Sequence, residues 1–200
     1  MMCNGAVQKF GALPADVAEA LLGPEPSPVS ATGLPDPAAY AGQFVNSRTG
    51  MAVTLTADKG ELRQNGRALT RVAEKRWQRG DDVYTFASAD KFQVEASDGN
   101  RFDYVRTAPV TPTTAQLAEY SGTYVSDEAM ARYTVSVVDG KLKVATVGWP
   151  DGDATVSPAY KDAFTAGGIL VRFRRGADGK INELSFGDGR MRDLRAARVK

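Results

Sequence analysis

The chain has 200 residues, 42% of them hydrophobic, with 25 basic and 24 acidic side chains and a formal charge of +1. That is enough for one ordinary domain or two small ones, and the charge balance offers no broad field to nucleic acid or an anionic membrane. A single cysteine, Cys3, and the absence of histidine exclude an internal disulfide, the usual zinc and iron ligand sets and every mechanism with histidine as general base. No metal or cofactor is expected, and catalysis would fall to lysine, tyrosine or carboxylates.

No segment has the basic start and apolar core of about 7–15 residues of a signal peptide, or the run of about 20 of a membrane span. A soluble chain is expected, its compartment open. Leu13, Val17, Ala20 and Leu21 fall at helical spacing, with Pro14 suited to a first turn, Asp16 near the positive end and Gly23-Pro24 as a stop. The pattern predicts one short helix, from Pro14 to Leu22. Gly23 to Pro37 (GPEPSPVSATGLPDP) reads as a semi-rigid, extended linker.

From Ala38 onward the pattern changes to short alternating runs. Met51–Leu55, Val83–Phe86, Tyr133–Val137 and Ile169–Phe173 have the period of half-buried strands, and only Thr114–Glu119 suggests another helical turn. Asn65-Gly66, Asp98-Gly99, Asp139-Gly140 and Asp178-Gly179 favour hairpins between such strands. Hairpins in series predict antiparallel sheet.

The segment contains an internal repeat. Tyr40-Ala41-Gly42-Gln43-Phe44-Val45 matches Tyr120-Ser121-Gly122-Thr123-Tyr124-Val125 at an offset of 80, as Gly60-Glu61-Leu62 matches Gly140-Lys141-Leu142. Trp77 and Phe86 then match Phe164 and Phe173 at an offset of 87, and each copy ends in a strand with an arginine, Arg106 or Arg198. A unit of this length is a small domain. Six to eight short strands per copy suit a small closed antiparallel barrel, with the glycine of Tyr-x-Gly-x-aromatic allowing a close approach or a bulge and the aromatics plugging one end.

In their order, Leu117 to Tyr124, Asp139 to Leu142, Ser157-Pro158, Asp162-Ala163-Phe164 and Phe173-Arg174-Arg175 resemble the lipocalin-like carboxy-terminal domain of serine hydrolases in the class C β-lactamase and penicillin-binding superfamily. The first copy is a weaker match, and two copies in tandem resemble the accessory domains of D-aminopeptidase-type members. The resemblance implies an all-β chain of two tandem lipocalin-like barrels, at 38–109 and 114–200, behind a linker at 24–37. Residues 1–23 then look like the end of the catalytic domain, a Cys-Asn pair at Cys3-Asn4 and a terminal helix. On that reading the helix has lost the sheet it should cover; alternatively Leu13, Val17 and Leu21 dock on a barrel.

The superfamily's Ser-x-x-Lys occurs in letters at Ser88-Ala89-Asp90-Lys91, which reads as a turn between strands, and no Tyr-x-Asn or Ser-x-Asn accompanies it. This chain alone is therefore expected to be non-catalytic, docking on a β-lactamase-like serine hydrolase domain, in cis or in trans, to shape substrate access or to mediate oligomerisation. The seven-residue excess of the second copy falls at Val147–Asp153. There Trp149, Pro150 and Asp151 are the candidate partner contacts, in keeping with the accessory-barrel loop that reaches the catalytic cleft in D-aminopeptidase-like members; Trp149 folding back over the barrel mouth is the alternative. Arg172–Arg175 and Arg190–Arg195 read as a solvated strand face rather than a nucleic-acid site. The rival function is a stand-alone barrel for a small ligand, set against the expectation that barrels this short are filled by their own side chains.

Overall fold

Asn65 and Asp139, with φ of 52° and 50°, are each followed by a positive-φ glycine, Gly66 or Gly140. Asn and Asp tolerate this left-handed geometry better than other non-glycine residues, and two such residues in succession make the tight turn that matches strand twist. Both dipeptides accordingly close two-residue hairpins, whereas Asp98-Gly99 and Asp178-Gly179 sit in longer turns. A computed structural model describes residues 35–148, 153–188 and 190–199. The expected helix at Pro14–Leu22, residues 1–23 as a whole and the linker up to Leu34 lie outside them.

The first copy forms β1 (Gly42–Asn46), β2 (Ala52–Asp58), β3 (Glu61–Gln64), β4 (Arg67–Ala73), β5 (Arg76–Arg79), β6 (Asp82–Ser88), β7 (Lys91–Glu95) and β8 (Arg101–Thr107). The second forms β9 (Gly122–Ser126), β10 (Ala131–Val138), β11 (Lys141–Thr146), β12 (Ala154–Tyr160), β13 (Ala163–Ala166), β14 (Ile169–Arg175), β15 (Ile181–Gly187) and β16 (Leu194–Val199). Each set is a closed antiparallel barrel of consecutively paired strands. β1 closes on β8 with Phe44 opposite Arg106, and β9 on β16 with Tyr124 opposite Arg198. Closure pairs every edge strand, which removes the sites at which foreign strands would add.

A helical turn caps one end of each barrel. In the second it is α1 (Thr114–Ala118), started by a full capping box in which Thr113 accepts from the Gln116 N–H and the Gln116 side chain accepts from the Thr113 N–H. In the first it is a 3-10 turn at Pro37–Tyr40, with Asp36 accepting from the Ala38 N–H and Pro37 at its first position. Beneath the caps the repeat is visible as one aromatic triangle used twice. Tyr40 lies 4.9 Å from Trp77 and 4.7 Å from Phe86, ring centre to ring centre, and Tyr120 lies 5.1 Å from Phe164 and 4.7 Å from Phe173. Aromatic contacts at these separations add to the stabilisation that burial itself provides.

The glycine of the repeated motif makes room for the arginine that ends each copy. Gly42 and Gly122 have φ of +149° and +156°, and a Cβ on either would run into the guanidinium group of Arg106 or Arg198. Arg106 crosses the Phe44 ring at 4.7 Å and donates to the carbonyls of Ala41 (2.7 Å) and Ala39 (3.2 Å). Arg198 crosses the Tyr124 ring at 6.0 Å and donates to the carbonyls of Ser121 and Ile181. One cation thus ties the entering segment of each barrel to its last strand, in charge-assisted bonds and ring contacts.

The barrels meet along the outer face of β12–β14. The Gln43 side-chain amide donates to the Ala159 carbonyl at 2.9 Å, and the Tyr160 hydroxyl to the Gly50 carbonyl at 2.8 Å. Leu170 alternates with the inward Val171, so it points out of its own barrel, yet it is only 1% exposed because it packs beside Gly50.

Candidate functional site

The seven-residue difference between the copies lies where the sequence places it. In the first barrel β3 and β4 are joined by Asn65-Gly66; in the second, Val144 pairs with Ala154 as Gln64 pairs with Arg67, leaving nine residues where the first barrel has two. Both ends of this loop are fixed on the barrel rim. The Val147 N–H donates to the Arg132 carbonyl at 2.8 Å, and Lys143 pairs with Asp153 at 2.6 Å. Trp149, Pro150 and Asp151 themselves lie outside the described residues.

The rim that carries this loop surrounds an open cavity of about 400 Å³ in the second barrel. Among the described residues its walls include Val144, Val156, Val171, Phe186 and Leu194, with Tyr133 and Thr146 as the two hydroxyl-bearing side chains and no charged one. Tyr133 lies 4.7 Å from Phe186, ring centre to ring centre and tilted, and burial raises the phenol's pKa. The opposite end is closed by the aromatic triangle, so the cavity is blind.

At the same end of the first barrel there is a polar plug. Tyr84 and Arg79 both donate to Gln64 Oε1, at 2.6 and 2.7 Å, and Arg79 also pairs with Asp82 at 3.5 Å and lies 5.7 Å from the Tyr84 ring centre. Burial pushes the Tyr84 phenol up to about 12, despite the nearby Arg79 charge, so it stays a proton donor to Gln64. The strand pairings put Val144, Ala166, Ile169 and Val171 of the second barrel in the places of Gln64, Arg79, Asp82 and Tyr84. Val53 and Val94 are exchanged in the other direction, for Tyr133 and Phe186. The exchange thickens one wall and removes the plug from the other. Among the described residues, the first copy fits the expectation that each barrel is filled by its own side chains, while this end of the second keeps a cavity.

A charged network lies at the capped end of the second barrel. The Tyr120 hydroxyl donates to Asp162 at 2.8 Å, and Arg175 donates to Asp162 (2.8 Å) and Glu119 (2.8 Å). Burial, the bond to Asp162 and its charge push the Tyr120 phenol up to about 12. Its hydroxyl is a hydrogen-bond donor in this network. Arg172 and Arg174 point outward and pair with Asp193 at 3.3 and 2.7 Å, and Arg174 also with Glu183 at 2.7 Å. Arg172, Arg174 and Arg175 are therefore ion-paired along β14 and Arg195 pairs with Asp193, whereas Arg190 and Arg192 lie in the connection before β16 rather than on a strand face.

Burial opposes ionisation of Asp193, but hydrogen bonds from Arg174 and Arg195 outweigh it and hold the carboxyl at about 2; Asp162 is likewise held low by Arg175 and Tyr120 against its burial. A carboxyl depressed in the folded state stabilises the fold above its unfolded pKa, about 3.9, and that stabilisation is lost as pH falls through the folded value. The melting temperature should fall steeply between about pH 4 and 2. Asp193→Asn should lower it at neutral pH and flatten this acid limb; an unchanged limb in thermal melts across that range would show that the pairs contribute nothing.

Ser88 and Lys91 flank a hairpin turn, with Ser88 closing β6 and Lys91 opening β7, and Ser88 Oγ accepting from the Asp90 N–H at 3.2 Å. Among the described residues no group of three or more Cys, Asp and Glu side chains could hold a metal ion, and no helix is long and apolar enough to cross a membrane. Comparison with protein-family models and with curated proteins finds no match to this chain.

Proposed function

We propose that the two barrels form a non-catalytic accessory module of a β-lactamase-like serine hydrolase, one that docks on the catalytic domain and shapes access to its cleft. The observation that carries this reading is the β11–β12 loop. It is the largest departure of one copy from the other, both its ends are fixed on a rim, and its sequence places Trp149 between Gly148 and Pro150. A long loop on a barrel scaffold is where recognition concentrates, and tryptophan is the side chain that most often dominates an interface. The order of sequence motifs supplies the partner's class.

Trp149→Ala should leave the melting temperature within a few degrees of the parent and weaken association with the hydrolase domain encoded in frame or beside it by about 2 kcal/mol or more. Calorimetric titration of that domain measures this directly. Equal affinity of parent and variant would remove the loop from the interface, and no association at all would remove the hydrolase.

A further inference from the structure

We infer that the second barrel holds a binding site for a small, neutral, apolar molecule in the cavity at its uncapped end. The inference is independent of any hydrolase and rests on the comparison of one position set in two copies of the same barrel. The first copy fills this end with Arg79 and Tyr84, both bonded to Gln64; the second has Val144, Ala166 and Val171 there and leaves about 400 Å³ open. Empty apolar space costs stability, since its lining lacks contact atoms on one side. The floor stays fixed around it, with Val156 and Val171 only 3% and 2% exposed.

The wall sets the chemistry of the occupant. Its described residues include no charged side chain, so an ionised group drawn inside would lose its hydration with nothing from them in exchange. Hydrocarbon surfaces offer water few partners as well, which leaves an apolar solute as the guest that gains most. Tyr133 and Thr146 can satisfy one hydroxyl, ether or carbonyl, and the Tyr133 hydroxyl has no hydrogen-bond partner among the described residues. The volume is that of a small-molecule site, about 300–1,000 Å³, and equals a few side chains. A single ring system or a short alkyl or acyl chain carrying one polar atom meets these conditions.

The test uses the full chain and the neutral fluorophore N-phenyl-1-naphthylamine. Its emission should rise saturably at one molecule per chain and be reversed by 1-decanol. Methyl resonances of Val144, Val156 and Val171 should shift during the titration, while those of Leu62 and Leu69 in the first barrel stay in place. Rebuilding the plug with Val144→Gln, Ala166→Arg, Ile169→Asp and Val171→Tyr together should weaken binding about tenfold or more, and Ala166→Leu, a smaller filling, should weaken it in the same direction. The methyl shifts of the unaltered chain decide the matter even where the grafted variant fails to fold. No saturable emission, shifts confined to other parts of the chain, or undiminished binding by a folded filled variant would each overturn the assignment.

Discussion

Trp77→Ala should cost the first barrel about 3–5 kcal/mol, the range for truncating a buried aromatic that leaves a cavity behind. Trp77 is 1% exposed, meets Tyr40 and Phe86 edge-on at 4.9 and 5.2 Å, and is covered by the Arg71 guanidinium at 4.7 Å. Arg71 in turn donates to the Pro35 carbonyl at 2.9 Å, so the loss would spread to the segment entering the barrel. Since Phe164 occupies the same corner of the second barrel, Trp77→Phe should recover most of the stability, costing under about 1.5 kcal/mol. Chemical denaturation followed by near-ultraviolet circular dichroism measures both. An alanine variant within about 1 kcal/mol of the parent would contradict the packing described.

Gly50→Val should open the seam between the barrels, at a cost on the order of 2–4 kcal/mol. Gly50 has φ of +75°, which a β-branched residue resists, and a Cβ there would lie 2.9 Å from Leu170 Cδ2, 3.0 Å from Arg172 Nη1 and 3.2 Å from the Tyr160 hydroxyl. The turn cannot relax cheaply. Asn46 Oδ1 accepts from the N–H groups of Arg48 and Thr49, both at 2.9 Å, and the Gly50 N–H is bonded to the Asn46 carbonyl at 2.8 Å. Hydrogen exchange should rise over Ser157–Ala163 and Ile169–Arg172 while the Tyr124–Arg198 ladder keeps its protection. Unchanged exchange at Ala159 and Leu170 would show that the contact contributes little. Gly50→Ala should give the same pattern, weaker.

What was legible in the sequence was whatever depends on neighbours along the chain. Asn65-Gly66 and Asp139-Gly140 specify turns by their own backbone preferences, and a helical turn was expected at Thr114–Glu119, where α1 forms. The offsets of 80 and 87 revealed two units because Tyr40, Trp77 and Phe86 recur as Tyr120, Phe164 and Phe173. The 3-10 turn at Pro37–Tyr40 was not anticipated: four residues leave no periodicity to detect, although Asp36-Pro37 carried the capping signal. The cavity was written in the replacement of Gln64, Arg79 and Tyr84 by Val144, Ala166 and Val171. Those residues lie on three strands of a copy, and only the pairing of strands reveals that they converge. The seam was harder still, since Leu170 in an alternating strand looks like any outward residue until the other barrel covers it.

The closure of each barrel also governs how the chain can go wrong while folding. β1 cannot meet β8, nor β9 meet β16, until nearly the whole copy has been made, since Gln43 pairs with Thr107 and Thr123 with Val199. Long-range pairing of this kind forms late and slowly, and in the interval both ends of each sheet stay open to capture. Both first strands begin with glycine and carry an aromatic two residues on, and both last strands carry, one residue from their end, an arginine that lies across that ring. A nascent first strand of one copy therefore finds a compatible partner in the last strand of the other. Divergence between the copies in the plug and at the seam, where Gln43 and Gly50 meet Ala159 and Tyr160, gives the correct pairing contacts that a swapped one would lack.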